Sequence, residues 1–190
     1  MIETIDHQLF FAFYHDPIPF ALLIFWVSWT WLGSSWSLLG IVPFLFPPKT
    51  RLIALFLSGT QLATNGLVWI LKHAINRPRP FLVYPIHPLL HVSQLYSSFP
   101  SGHSSRGFAT ASFFICFILY QPYSLHTSSK TIRLVEVFGI AGIATAIGLS
   151  RISLRLHYPS DVIAGACLGT LFGTAGAFCF LFFQKKVKIS

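Results

Sequence analysis

Charge is what this sequence has least of. Only 9% of its 190 residues are Asp, Glu, Lys or Arg, against roughly a quarter in a soluble globular domain. The deficit excludes a water-facing surface along most of the chain. Acids are the scarcest charges, five in all, too few to build the carboxylate cluster of a two-metal centre, so neither a metal nor another cofactor is expected. Cysteine is equally sparse. Cys116, Cys167 and Cys179 all lie in apolar runs, and an odd number cannot pair completely, which argues against a disulfide framework. Residues 1–6 hold Glu3 and Asp6 but no Lys or Arg, so the basic start of a cleavable signal peptide is missing and the apolar runs themselves are expected to direct insertion. Repeats, low-complexity tracts and soluble-domain linkers are absent too, and one domain over residues 1–190 is expected.

What the chain has in abundance is long uncharged sequence. It is 54% hydrophobic, and Ile18–Phe46, Leu52–Leu71 and Val162–Phe183 each reach the ~20 helical residues that cross a hydrocarbon core ~30 Å thick. Two shorter runs, about Ser104–Tyr120 and Arg133–Leu149, reach that length by borrowing flanking residues. The expected fold is therefore all-α: an integral membrane helical bundle of five transmembrane helices, or six if the 29-residue first run, interrupted by Gly33, Ser34, Ser35 and Ser37, divides in two. Residues 1–16 carry Ile2, Ile5, Leu9, Phe10 and Phe13 at near-helical spacing with Glu3, Asp6, His7 and Asp16 between, the pattern of an amphipathic helix lying on the membrane. Five prolines between Arg77 and His103 exclude a continuous helix there and mark a long loop of the kind that carries function. Gly165, Gly169, Gly173 and Ala177 form a small-residue stripe suited to close helix packing. Gly139, Gly142, Ala144, Ala146 and Gly148 invite the same reading.

The formal net charge is +8, but no basic tract interleaved with aromatics exists, so nucleic acid is not an expected partner. The cations fall into two populations. Lys49, Arg51, Lys130, Arg133, Lys185, Lys186 and Lys188 flank the runs on what the positive-inside rule makes the cytoplasmic side. Lys72, Arg77, Arg79, Arg106, Arg151 and Arg155 lie at the opposite ends. Positive charge is normally disfavoured on the translocated side, so a cluster there requires its own explanation.

Three patches at span ends hold nearly all the polar chemistry: residues 72–80, 99–106 and 150–161. An even number of crossings between successive patches brings all three to one face of the bilayer. Lys72, Arg79 and Arg151 then converge, and their donors suit phosphate oxygens. Ser101 and the Gly102 backbone add donors at a helix start, where anions are favoured. His157 and Asp161 lie one helical turn apart, with Pro159 suited to open the last helix. A carboxylate holding one imidazole nitrogen leaves the other lone pair available to attack phosphorus. His103 is then the group that protonates the leaving oxygen and later activates water. The gathered cations stabilise the charge on the transferring group without a divalent ion.

This spacing resembles the type 2 phosphatidic acid phosphatase superfamily, which includes bacterial acid phosphatases and vanadium haloperoxidases. The family's first motif, Lys, six residues, Arg-Pro, is matched by Lys72, Arg79 and Pro80; its second, Pro-Ser-Gly-His, by residues 100–103. The third, Ser-Arg, five residues, His, three residues, Asp, is matched by Ser150, Arg151, His157 and Asp161. The resemblance covers roughly residues 50–183. It implies a helical bundle, a phosphohistidine at His157, acid catalysis by His103, and phosphate binding by Lys72, Arg79, Ser101, Gly102 and Arg151. It also implies a membrane lipid substrate and, for membrane members, a site at the extracytoplasmic face of the plasma (inner) membrane. Small bacterial members resemble undecaprenyl pyrophosphate, phosphatidylglycerophosphate and lipid A phosphatases. Many of the first have Asp where this chain has Gly102. Transfer of the phosphoryl group to another hydroxyl, or a non-catalytic anion channel with an inherited pocket, are the competing expectations.

Arg77, Arg106 and Arg155 lie outside the motifs. Each is either an interfacial arginine reaching to headgroups or a binder of a second phosphate or acidic headgroup. His7, His15, His73, His87, His91 and His126 have no companion donors at the required spacing and are expected to be structural. Trp26, Trp29, Trp31 and Trp36 read as interfacial or lipid-facing anchors.

Overall fold

The computed structural model describes residues 2–14, 16–90, 97–120 and 129–189; His15, His91 and His126 lie outside them. The described residues form helices and no strand. In chain order these are α1 (Ile2–Ala12), α2 (Phe20–Leu32), a 3-10 segment (Ser35–Leu45), α3 (Pro48–Ile75), the single turn α4 (Pro80–Val83), α5 (Gly102–Tyr120), α6 (Lys130–Ser153) and α7 (Pro159–Ile189). The helices α3, α6 and α7 are each long and apolar enough to cross a membrane.

Local chemistry sets the ends that matter. Proline opens α3, α4 and α7, where its missing N–H is no loss. At the end of α3, Asn76 adopts a left-handed conformation (φ 44°) and donates its N–H to the Lys72 carbonyl, a helix stop that Asn tolerates well; Pro78 then prevents resumption. The loop beyond is not wholly non-helical, because Pro80 starts the turn α4. Ser129 caps α6, its Oγ accepting from the Ile132 N–H at 3.4 Å.

Packing of α5 on α7 is the centre of the fold, and the small-residue stripe explains it. A Cβ on Gly165 would lie 2.6 Å from the Ser101 carbonyl oxygen, and one on Gly169 or Gly173 would collide with the carbonyl of Ser105 or Ala109. Two helix backbones approach this closely only where one side lacks side chains. Below them Leu57, Phe113, Cys116, Ala177 and Phe180 form the apolar core. The comparable expectation for α6 holds only in part. Gly148 packs against Val162 and Ala144 is buried, but Gly139 and Gly142 face open space, since they lie on the side of α6 turned away from its neighbours. Arg133, expected as a cytoplasmic anchor, is buried in the first turns of the same helix.

The first long run is interrupted at Gly33 and Ser34, between α2 and the 3-10 segment. Alone, the 13-residue α2 reaches ~20 Å. The run descends along α6 and α5: Thr30 meets Arg151, and Gly33 packs against His103 and Ile147. Helix α1 does more than lie on a surface. Phe10 is buried with Ile152 and Val162, flanked by Phe11 and Tyr14, while Ile5, Leu9 and Phe13 remain exposed on another side.

Candidate active site

Helix polarity does the gathering. The end of α3, the start of α5, the end of α6 and the start of α7 all meet at one end of the bundle, so each of the three sequence patches arrives there. The Ser101 N–H donates to the Asp161 carbonyl at 2.9 Å, and Ser104 Oγ donates to the Val162 carbonyl at 2.8 Å. These bonds pin the second patch to the third. Arg155, in a left-handed conformation (φ 65°), turns the chain after α6 so that the N–H groups of Leu156 and His157 both donate to the Arg151 carbonyl, at 3.1 and 3.2 Å. The turn folds His157 back over Arg151.

His157 is buried, and its two ring nitrogens have different partners. Arg79 Nη1 lies 3.3 Å from Nε2. Arginine can only donate, so Nε2 carries the lone pair and the ring proton belongs on Nδ1. That nitrogen faces Asp161 Oδ2 at 3.5 Å and Ser98 Oγ at 3.4 Å. The arrangement is that of a neutral imidazole with one basic nitrogen exposed to a cationic neighbour and the other held by an acid. Burial pushes the His157 imidazole down to about 3; the Asp161 hydrogen bond opposes the shift, and the charges of Arg79 and Arg151 add to it.

Asp161 is wholly enclosed and every bond it accepts is directed. Arg77 Nη1 donates to Oδ1 at 2.7 Å; the Tyr158 N–H (2.9 Å) and Ser98 Oγ donate to Oδ2. A buried carboxylate is tolerated only when satisfied in this way.

The cations close around the histidine pair. Lys72 lies within electrostatic reach of Arg79, Asp161, Arg151 and Arg106, and His103 within reach of Arg151, Arg106, His157 and Arg79. Lys72 Nζ donates to the carbonyls of Ser97 and Ser98, Arg79 Nη1 to that of Leu156 at 2.9 Å, and Arg151 Nη1 to Thr30 Oγ1. The buried Nε of Arg151 has no hydrogen-bond partner, a donor that an anion's oxygen would satisfy. Ser101 is buried and Gly102 opens α5 beside it. Such a concentration of buried positive charge, with only Asp161 and Asp6 to offset it, suits an anion. No group of His, Cys, Asp and Glu suited to a metal occurs among the described residues.

The three arginines outside the motifs each have partners within the protein. Arg77 bridges Asp161 to Asp6, with Nη2 at 2.6 Å from Asp6 Oδ2. Arg106 donates to the Gly33 carbonyl and Asn65 Oδ1, both at 2.9 Å, and its Nη2 lies 3.5 Å from His103 Nδ1. Arg155 donates to the His87 carbonyl at 3.2 Å, pairs with Asp16 at 3.3 Å and lies over the Tyr14 ring.

Sequence reading missed Asp6, Thr30, Asn65 and Ser98. Asp161 is the one acid within the three sequence patches, and α1 adds Asp6 beside them. Ser98 precedes the second patch by one residue and was within reach of the same reading. A buried role for Asp6 had one signal, its position one helical turn before Phe10; Thr30 had none.

A family model, the PAP2 superfamily, matches residues 51–188. The chain is 34% identical over 134 residues to the lipid A 1-phosphatase of Rhizobium johnstonii, covering 67% of this chain and 48% of that protein. It is 34% identical over 150 residues to phosphatidylglycerophosphatase B of Bacillus subtilis, covering 75% of this chain and 67% of that one. The chain thus spans about half the length of the lipid A phosphatase it matches. Among solved structures, the transmembrane PAP2-type phosphatidylglycerolphosphate phosphatase from Bacillus subtilis superposes with a TM-score of 0.76 at 27% identity, over 98% of this chain and 87% of that one. Aquifex aeolicus LpxE gives 0.69 at 27% identity, over 89% and 92%.

Proposed function

The chain belongs to the PAP2 superfamily, and from that premise we propose that it is a metal-independent lipid phosphate or pyrophosphate phosphatase working through a phosphohistidine. The observation that carries this is the partnering of His157, with Arg79 at Nε2 and the Asp161 and Ser98 oxygens at Nδ1. In the first step the Nε2 lone pair forms an N–P bond while the P–O bond to the leaving group breaks, and protonated His103 gives its proton to the departing oxygen. In the second, His103 takes a proton from water, the water oxygen attacks phosphorus, and the N–P electron pair returns to His157. Lys72, Arg79, Arg151, Ser101 and the Gly102 N–H hold the equatorial oxygens throughout.

A lipid substrate is favoured by the named relatives and by the placement of the cations at the end of apolar helices. The class is a bacterial polyprenyl pyrophosphate, phosphatidylglycerophosphate or a related lipid; the lipid A 1-phosphatase relative keeps lipid A in the panel. We take all 190 residues as one domain in the plasma membrane, with the site on the extracytoplasmic side and residues 1–16 at the interface. The test is phosphate release by the purified protein across undecaprenyl pyrophosphate, phosphatidylglycerophosphate, phosphatidic acid and lipid A. Release survives chelator, is blocked by vanadate, and falls by at least about 10³-fold in His157→Ala. Sustained turnover in that variant would sink the proposal; labelled phosphate on an acceptor hydroxyl would turn it toward phosphotransfer.

A further inference from the structure

Helix α1 looks, from its sequence, like a device for touching membrane, yet it sends a carboxylate into the site. Asp6 is 4% exposed and accepts three bonds. Ser160 N–H donates to Oδ1 at 2.9 Å, and Ser160 Oγ and Arg77 Nη2 donate to Oδ2, each at 2.6 Å. Arg77 then uses its other terminal nitrogen on Ser160 Oγ and Asp161 Oδ1, both at 2.7 Å. The guanidinium is a rigid planar fork, so the carboxylate on one prong sets the angle at which the other prong meets Asp161. Stacking of Arg77 4.1 Å over the Tyr158 ring fixes the same plane. Asp161 in turn faces the Nδ1 side of His157.

Phe10, one helical turn from Asp6, seals the contact. It is 1% exposed and packs against the rings of Tyr84 and Tyr158. The outward stripe Ile5, Leu9 and Phe13 is exposed and apolar. One helix therefore presents an apolar side outward and an acid to the residues that orient the histidine.

We infer that Asp6 is a positioning residue for the reaction: through Arg77 and Ser160 it holds Asp161 at the angle that keeps the proton on His157 Nδ1 and the lone pair on Nε2. An interfacial anchor requires no such acid. A like-sized amide at position 6 keeps the acceptor for Ser160 N–H but loses the charge that holds Arg77. The inference rests on the phosphohistidine reading of the same site.

The test compares wild type, Asp6→Asn, Asp6→Glu, Arg77→Met and the Asp6→Asn/Arg77→Met double variant as full chains in mixed micelles. Each is assayed on phosphatidic acid and on soluble p-nitrophenyl phosphate, with 15N NMR of the His157 ring and thermal unfolding alongside. In Asp6→Asn, kcat falls about 10- to 100-fold on both substrates, as loss of orientation does, with KM within about 3-fold. Asp6→Glu recovers part of the rate, the double variant is no slower than Arg77→Met, and the single Nδ1–H tautomer of wild type becomes a mixture in Asp6→Asn. Wild-type kcat with an unaltered tautomer in Asp6→Asn overturns the inference. So does a defect confined to KM on micellar lipid, which is the signature of an anchor. So does a rate loss that matches the unfolded fraction or multiplies independently with that of Arg77→Met. If wild type cleaves neither substrate, the proposed function falls, and the tautomer measurement still decides the role of Asp6.

Discussion

At the scale of single residues the site is governed by how a neutral imidazole is kept neutral and aimed. Burial lowers His157 to about 3, against an ordinary value near 6.5. Between those values the unfolded chain binds a proton there that the folded chain refuses. Stability is therefore intact above about pH 6.5 and is lost progressively as pH falls toward 3. Thermal unfolding from pH 7 down to 4 checks this: the melting temperature of wild type drops more steeply than that of His157→Gln, which has no such proton to refuse. Ser98 supplies the second expectation. Its hydroxyl donates to Asp161 and lies 3.4 Å from His157 Nδ1, so Ser98→Ala removes one of the bonds fixing the acid, at a cost of about 1–3 kcal/mol. Steady-state kinetics on a soluble phosphomonoester is the check, with kcat down by about 10-fold and KM little changed.

At the scale of helices, glycine discriminates contact from exposure. Gly169 and Gly173 of α7 lie against the α5 backbone, whereas Gly139 and Gly142 of α6 meet nothing within 4 Å. Gly173→Val forces the α5 and α7 backbones apart and destabilises by about 1–3 kcal/mol or more. Gly139→Ala adds no clash and improves helix propensity by up to about 1 kcal/mol. Thermal unfolding of the two variants in the same detergent separates them by sign. Both sets read alike in sequence, because small residues recurring in an apolar run mark a packing face without saying what covers it. The polar patches were legible for the opposite reason: Lys72 and Arg79, Ser101 and His103, and Arg151, His157 and Asp161 are local clusters at the ends of apolar runs, where few bland readings compete. Asp6 and Thr30 act on partners 71 and 121 residues away, and no local period encodes such a pairing. The division of residues 18–46 at Gly33 was open in sequence because glycine and serine are tolerated within apolar helices as well as at their ends.

At the scale of the whole molecule, the same helices that carry the site at one end carry basic residues at the other. Lys49 and Arg51 lie in the first turn of α3, Lys130 opens α6, and Lys185 and Lys186 lie near the end of α7. From Arg51 to Lys72, 21 helical steps span about 32 Å, close to the ~30 Å hydrocarbon core. The charge populations therefore fall at opposite interfaces, and the positive-inside rule assigns the anchors to the cytoplasm. In the proposed orientation the histidines open toward the side to which headgroups of the outer leaflet, rather than cytosolic phosphates, have access. Labelling tests this directly. In a chain whose Cys116, Cys167 and Cys179 are replaced by Ala, Val83→Cys lies on the exposed turn α4 beside the site, and Lys130→Cys lies at the other end of the bundle. A membrane-impermeant maleimide applied to intact cells is expected to modify position 83 at once and position 130 only after permeabilisation. The reverse pattern would put the nucleophile in the cytosol and redirect the substrate search to lipids of the inner leaflet.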